Sequence, residues 1–429
     1  MTEIRPFRGL LYDKSKAGGD YASVMAPPYD VISKNMQDEL YEKNAHNIIR
    51  LILGKDIGGD TPENNKYTRA RRFLDEWQRE GALRRDDTDS FYIYLQEYGY
   101  KGEKHRRIGF IGIIKIGETG KDTVLPHEHT LAKPKEDRMN LIKQVQSNLS
   151  PIFTLYDDKD GIVRSILEGS AGTVSPLIDI DVDGEKHKLW RLSDKESIEG
   201  ITSRMADKKV FIADGHHRYE VARAYRDMRR QQDGYDGSAD YIMMYFTDTG
   251  EDNDLTVMAT HRVVRVMPRV DDGEVIGRLG EYFDVTECGE LSGLMERLDK
   301  GYAEEHAFGF FDGKNYIFMK PKDKNSLRGF VKEDKTEQWK QLDVSVLHSV
   351  VLDDILSVTS SEGNITYVRE PEKAEALVRD GSHMAAFFLN PTRVGQLKAV
   401  AECGEMMPQK STYFYPKLLS GLVIHRFGA

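Results

Sequence analysis

The run Val210-Phe211-Ile212-Ala213-Asp214-Gly215-His216-His217-Arg218 constrains this chain more than any other stretch. Four apolar residues of β-type composition are followed by Asp-Gly, then by Tyr219-Glu220-Val221-Ala222-Arg223-Ala224-Tyr225 at helical spacing. That order predicts a strand, a tight turn and a helix. The turn gathers one carboxylate, two imidazoles and a guanidinium at the first turn of a helix. Free backbone N–H groups and the positive end of the helix dipole lie at the same place, so the arrangement suits a phosphate. Capping alone would account for Asp214 and Gly215, but it requires neither the histidine pair nor Arg218.

The rest of the chain suggests a mixed α+β protein. Phe91–Tyr98 and Ile108–Ile116 are rich in β-formers and are separated by Gly99-Tyr100-Lys101-Gly102, which predicts an antiparallel hairpin. Ser33 is placed to cap a helix burying Met36, Leu40 and Tyr41, and Ile48–Leu53 reads as a short buried strand. Tyr67, Ala70, Phe73, Leu74 and Trp77 form the stripe of a helix closed by Gly81, and Pro134 opens another carrying Met139, Ile142 and Val145. Residues 160–200 are expected to hold small strands and turns, and Asp248–Asp254 an exposed turn. Toward the C-terminus a hairpin tipped by Asp312-Gly313 precedes a long amphipathic helix over Val344–Ile355. Alternating strands and helices follow from Ile365, ending in a strand near Gly421–Ile424. Polar stretches near residues 88 and 270 divide the chain into an N-terminal α/β portion (1–88), a central core (89–270) and a C-terminal α/β domain (271–429).

Composition narrows the function. The 429 residues carry a formal net charge of −10, with 31% charged and 39% hydrophobic residues, as expected of a globular protein. The acidic balance argues against broad nucleic-acid binding, which needs an electropositive face. No apolar run reaches the roughly 20 residues that a membrane span requires. The first residues lack the pattern of a secretory signal peptide. Cysteine occurs only twice, at Cys288 and Cys403, so a cytoplasmic, disulfide-free protein is expected.

Three further groups are candidates for chemistry. His127-Glu128-His129 follows Pro126 in what reads as a loop. His-x-His is a common pair of metal ligands, a glutamate beside histidines suits a general base, and a plain polar loop is the third reading. Lys133-Pro134-Lys135 places cations at a helix N-terminus, where they oppose the dipole unless an anion joins them. Lys410-Ser411-Thr412 lacks the glycines of a Walker loop, so a P-loop is excluded, although Lys410 could reach a phosphate. Tyr29 and Asp30, behind Pro27-Pro28, are held rigidly enough for either a turn or a substrate contact.

Taken together, Leu125-Pro126-His127-Glu128 and Val210–Arg218 resemble the ParB/sulfiredoxin-like superfamily, and within it the free L-serine kinases, which pair a Pro-His-Glu loop with an Asp-Gly-His-His-Arg turn. The whole chain resembles a family of about this length linked to those kinases. The recurring segments are Ala26–Ser33, Leu125–Thr130 and Lys410–Thr412 through Tyr415-Pro416-Lys417. The resemblance implies a ParB/sulfiredoxin-like core in the middle of the chain. It also implies Glu128 as the base for a serine hydroxyl, with Asp214 assisting it or holding Mg2+. Gly215, His216, His217 and Arg218 would then grip the donor phosphates, with Lys133, His127 and Lys410 nearby. The function expected is phosphoryl transfer from ATP, ADP or pyrophosphate to a metabolite hydroxyl, L-serine first, with no nucleic-acid or membrane partner. Two alternatives are a phosphohydrolase holding zinc or manganese on His127, His129 and Asp214, and a nucleotide-binding regulatory protein.

Overall fold

The computed structural model describes residues 1–118, 122–267, 272–301, 306–323, 334–358 and 363–428. Where the sequence suggests three portions, the chain forms two compact units. The first comprises Met1–Leu125, Thr130–Leu255 and Pro416–Ala429; the second comprises Pro126–His129 and Thr256–Tyr415. The boundary expected near residue 270 falls outside the described residues.

The first unit is built on a nine-stranded mixed sheet. In chain order its strands are β1 (Ile4–Arg5), β2 (Phe91–Tyr100), β3 (Glu103–Lys115), β4 (Val124–Leu125), β5 (Ile152–Tyr156), β6 (Ile178–Val182), β7 (Glu185–Leu192), β8 (Val210–Asp214) and β9 (Tyr241–Asp248). They are arranged β4-β8-β5-β9-β3-β2-β7-β6, with β1 beside β3. The β4–β8 and β5–β9 pairs are parallel and the others antiparallel. The expected hairpin is β2–β3, the longest pair in the sheet. Because β1 pairs with β3, and Leu10–Tyr12 with Leu83–Arg85, the first 88 residues join this unit.

The helices of this unit are α1 (Lys34–Lys43), α2 (Lys66–Arg79), α3 (Ala132–Val145), α4 (Ile162–Thr173), α5 (Lys195–Met205) and α6 (His216–Arg230). Alternate residues of the strands, such as Phe91, Ile93 and Leu95 on β2, form one core with Val163 and Leu167 of α4, Ile201 and Met205 of α5, and Tyr219 and Ala222 of α6. A second cluster joins Ile142 of α3 to Val221 and Tyr225 of α6, with Ala239 and Phe427. Thus α3 and α6 lie side by side.

The second unit has a six-stranded antiparallel sheet of β10 (His261–Val264), β11 (Phe283–Glu287), β12 (Phe308–Phe311), β13 (Tyr316–Pro321), β14 (Ile365–Val368) and β15 (Ala385–Leu389), ordered β11-β13-β12-β15-β10-β14. Its core adds Leu294 and Leu298 from the helix Leu291–Gly301, and Ala374 and Val378 from the helix Pro371–Arg379. The fold is therefore mixed α/β, of the α+β class expected. No described helix is long and apolar enough to cross a membrane.

Several local expectations need correction. Ile49–Ile52 is a short helix rather than a strand, because the Asn47 side chain accepts from the Ile49 amide and donates to the carbonyls of Ser23 and Met25. Residues 160–200 contain α4 and α5 as well as β6 and β7. The turn after β9 is not exposed at Asp248 and Asn253. Both are buried, since Asn253 replaces a sheet partner by bonding the Ile108 amide and carbonyl. Met36 is exposed, although Ser33 does cap α1. The helix expected over Val344–Ile355 is α-helical over Asp343–Val346 and winds as a π-helix over Leu347–Ile355. The last strand is His425–Arg426, paired with Ser147–Asn148.

The sheet leaves no room at Gly109 on β3, where a Cβ would stand 2.6 Å from the Tyr245 ring. Gly109→Ala is expected to lower the unfolding free energy by about 1–3 kcal/mol, measured by urea denaturation with an unchanged m-value.

Candidate functional site

The end of β8 is buried through Ala213 and emerges at Asp214. Ile212 faces Thr154 on β5, whereas Asp214 faces Phe153, so a bulge interrupts the register and re-aims the carboxylate. Gly215 follows with φ 101° and ψ 26°, a conformation glycine adopts without strain. A Cβ there would also stand 2.8 Å from Arg218 Nη2. The glycine lets both the chain reversal and the guanidinium occupy the space at the start of α6.

Two cations meet Asp214. The Lys417 ammonium donates to Oδ1, and Arg218 Nη2 donates to Oδ2 at 3.2 Å. Arg218 Nη1 donates to the carbonyls of Pro151 (2.6 Å) and Ser150 (3.2 Å), and its Nε is buried without a partner. Burial pushes the Asp214 carboxyl up, but the charges of Lys417 and Arg218 outweigh it and hold the group well below the ordinary carboxylate value. His216 is 5% exposed, and burial lowers its pKa to about 3 against the pull of Asp214. It is thus a neutral ring at pH 7. Two cations and one carboxylate leave a positive charge over.

A second helix starts at the same place. The Leu131 amide, at the N-cap of α3, donates to His217 Nε2 at 2.9 Å, so that nitrogen accepts and the proton is assigned to Nδ1. The N-termini of α3 and α6 therefore meet, and neither has an acidic residue in its first turn. One turn into α6, Glu220 accepts from Thr130 and from Lys135 Nζ at 3.0 Å. Lys133 lies exposed at the start of α3.

Lys417 reaches Asp214 because the sheet holds its backbone. Gln96 on β2 and Arg107 on β3 are cross-strand partners, both fully buried. Gln96 Nε2 donates to the Lys417 carbonyl (3.1 Å), and Arg107 Nη2 to the Pro416 carbonyl (2.6 Å). Arg107 also lies 4.6 Å over the Phe153 ring. A buried arginine needs such partners, and these fix where the lysine stem begins.

In the second unit, the sequence candidates Glu128, His127 and Lys410 come together. Glu128 bridges Met407 in parallel, and the Met407 amide donates to the His127 carbonyl at 2.7 Å. Lys410, at φ 56°, turns its amide onto Glu128 Oε1 at 3.1 Å. His127 is fully buried, with Nε2 3.1 Å from Thr412 Oγ1, while His129 is exposed. Behind the loop, Arg262 is 1% exposed; it donates to the carbonyls of Thr260 and Lys410 and to His348 Nε2. Burial lowers its pKa to about 10, which still leaves it charged at pH 7.

Three expectations change. His216 brings no charge to an anion, and His217 is engaged by the Leu131 amide. His127 and His129, a candidate pair of metal ligands by sequence, are differently placed, one buried and the other exposed. Among the described residues no group of three or more His, Cys, Asp or Glu could hold a metal ion, which removes support from the zinc or manganese alternative. The groups on Asp214 are cations rather than further oxygen ligands, so they do not fit a protein-held Mg2+. Lys417 was not singled out from the sequence. It lies within the recurring Tyr415-Pro416-Lys417 segment but has no role assigned there, and 203 positions separate it from Asp214.

The family model described as "Protein of unknown function (DUF1015)" matches residues 4–345. The chain belongs to that family. No curated protein matches it. Among solved structures it is similar to a free serine kinase variant in complex with AMP, with 17% identity over 70% of this chain and 86% of the other, at a TM-score of 0.36. It is also similar to a conserved hypothetical protein from Pyrococcus furiosus (14% identity, 71% and 91% covered, TM-score 0.33). A third likeness is to SbnI with a C-terminal truncation from Staphylococcus aureus (13%, 72% and 85%, 0.33). Identities and TM-scores this low carry no argument about the site of this DUF1015 chain.

Burial of neutral imidazoles makes the first unit sensitive to acid. His216 and His187 have pKa values lowered from 6.5 to about 3 and about 4, burial being the main cause in each. The unfolded chain therefore takes up protons first as pH falls below 6.5. Stability present above that value is lost as pH drops toward 4, by up to about 1.4 kcal/mol per pH unit for each histidine. Urea titrations from pH 7 to pH 4 are expected to show this fall, with proton uptake on unfolding.

Proposed function

We propose that this protein transfers a phosphoryl group from a nucleotide or pyrophosphate donor to the hydroxyl of a small metabolite. The observation that carries the proposal is the meeting of two helix N-termini, at His217 and Leu131, beside Lys417 and Arg218, with one positive charge left over. Phosphoryl transfer asks chiefly for positioning and for neutralisation of phosphate charge, and helix-start amides, helix dipoles and two cations suit both.

In this reading the donor phosphates take the amides at the start of α6, with Lys417, Arg218 and Lys133 as the cations. Asp214 is a positioning residue that holds Lys417 and Arg218 apart. Glu128 is the base for the acceptor hydroxyl. Its carboxylate is already oriented by the Lys410 amide, and it stands three residues before Leu131 in the chain. We assign Mg2+ to the donor's own phosphates rather than to protein side chains. The same reading takes the first unit to contain a ParB/sulfiredoxin-like core, places the reaction in the cytoplasm with its nucleotides, and puts L-serine first among acceptors by resemblance.

The test incubates the full chain and magnesium with L-serine and each of ATP, ADP and pyrophosphate, and follows phosphoserine by mass spectrometry. Glu128→Gln is expected to keep donor affinity within about twofold and lose turnover by on the order of 10²–10⁴. Lys417→Met is expected to weaken donor binding and lower turnover by on the order of 10²–10³. Full turnover in Glu128→Gln would remove the base assignment, and unchanged donor affinity in Lys417→Met would remove the phosphate site.

A further inference from the structure

Beside the Asp214 turn the first unit has a cleft whose lining includes Arg218. Eight of its fourteen lining residues are aliphatic, among them Leu141, Ile142 and Val145 of α3, Ile152 of β5 and Val221 of α6. Its free volume is about 60 Å3, room for roughly four to six water-sized groups at 10–15 Å3 each. That is too little for a nucleobase with its sugar; the enclosed part takes a few non-hydrogen atoms of a small metabolite.

The polar part of the lining is one-sided. Arg218 shares the Asp214 carboxylate with Lys417, and among the described residues its buried Nε has no partner. Arg138 lies 4.0 Å over the Tyr29 ring, is paired with the Asp137 carboxylate and donates to the Ile52 carbonyl, so its charge is already met. Three further polar side chains are engaged within the protein. Ser147 Oγ donates to the Val145 carbonyl, Asn148 Oδ1 accepts from the Met243 amide, and Ser150 Oγ pairs with Ser420 Oγ. An ammonium group at the Arg218 side of this cleft would meet a guanidinium and carbonyls that already accept from it. A carboxylate would meet the excess positive charge of the turn, and a methyl group would meet the aliphatic wall.

We infer that this cleft binds a short hydroxy acid, a carboxylate with a methyl-bearing body and no amino group, in preference to an amino acid such as serine. Calling that ligand the phosphoryl acceptor rests on the reading above; the choice of ligand does not. The wall from α3 and α6 takes the carbon skeleton, and the Arg218 side of the cleft takes the carboxylate.

Isothermal calorimetry on the full chain, without a donor, tests the inference with β-hydroxybutyrate, L-serine and butane-diol. β-Hydroxybutyrate is expected to bind about tenfold or more tighter than either of the others, the scale that one recognised group can give. Val145→Ile adds a methyl to the wall and is expected to weaken that binding about tenfold, whereas Val145→Ala retains it; both keep an apolar side chain. Equal or tighter binding of serine, equal binding of the diol, no binding of the hydroxy acid, or indifference to Val145→Ile would each overturn the inference. Phosphate transfer to serine without hydroxy-acid binding leaves the kinase reading standing and ends this one. Binding of β-hydroxybutyrate with no transfer from any donor does the reverse.

Discussion

The ion group of Asp214, Lys417 and Arg218 is the interaction on which the first unit's site depends. A half-buried carboxylate with a single partner would lose much of its hydration for one attraction. With two cations, each oxygen has its own donor, and the carboxyl is held ionised despite burial. The cost falls on the cations, which share one negative charge. That imbalance is what the proposed function uses to receive an anion at the turn. The bulge at the end of β8, the glycine at 215 and the cross-strand pair Gln96–Arg107 all serve the same geometry. One aims the carboxylate, one clears space for the guanidinium, and one holds the backbone from which the lysine extends.

How much of this was readable beforehand follows from the distance over which each feature is encoded. The strand, turn and helix at Val210–Arg230 are local: an apolar run, an Asp-Gly and a helical stripe lie within twenty-odd residues, and each element agrees with its neighbours. The β2–β3 hairpin was legible for the same reason, as was the Ser33 cap. Lys417 was not. Its partner is 203 positions away, and the residues that hold the Pro416 and Lys417 carbonyls are on a hairpin more than 300 positions away. Nothing in the local composition marks Gln96 and Arg107 as a clamp; between β-formers they read as an ordinary polar pair. Ile48–Leu53 was misread because full burial makes a short helix and a short strand alike in composition, and the deciding partner, Asn47, is polar and lies outside the run.

The two units encode their chemistry differently. In the first, charge is arranged around a helix start, where amides and dipoles are fixed by the backbone. In the second, Glu128 sits in a loop of four residues whose partners are main-chain groups of the Met407–Lys410 segment. A carboxylate oriented by a backbone amide keeps its second oxygen uncommitted to that bond, which is what a proton acceptor needs. Buried Arg262, bonded to the Lys410 carbonyl, stiffens this turn from behind. Lys410 therefore matters first through its amide and its left-handed backbone, and only secondarily through the ammonium that drew attention to it in the sequence.

The neutral histidines complete the electrostatic argument. An anion site made of protonated imidazoles would weaken as pH rises through 6.5, because its charge would be lost. Here His216 is kept neutral by burial, and His217 accepts a hydrogen bond from Leu131. The positive charge at the turn is therefore carried by Lys417 and Arg218 rather than by the imidazoles, together with two helix ends that do not titrate. The imidazoles instead set spacing, with His217 fixing the distance between the starts of α3 and α6 and His216 filling the core beneath the turn. In the proposed function, a site built this way would respond to phosphate charge and geometry rather than to protonation of its histidines.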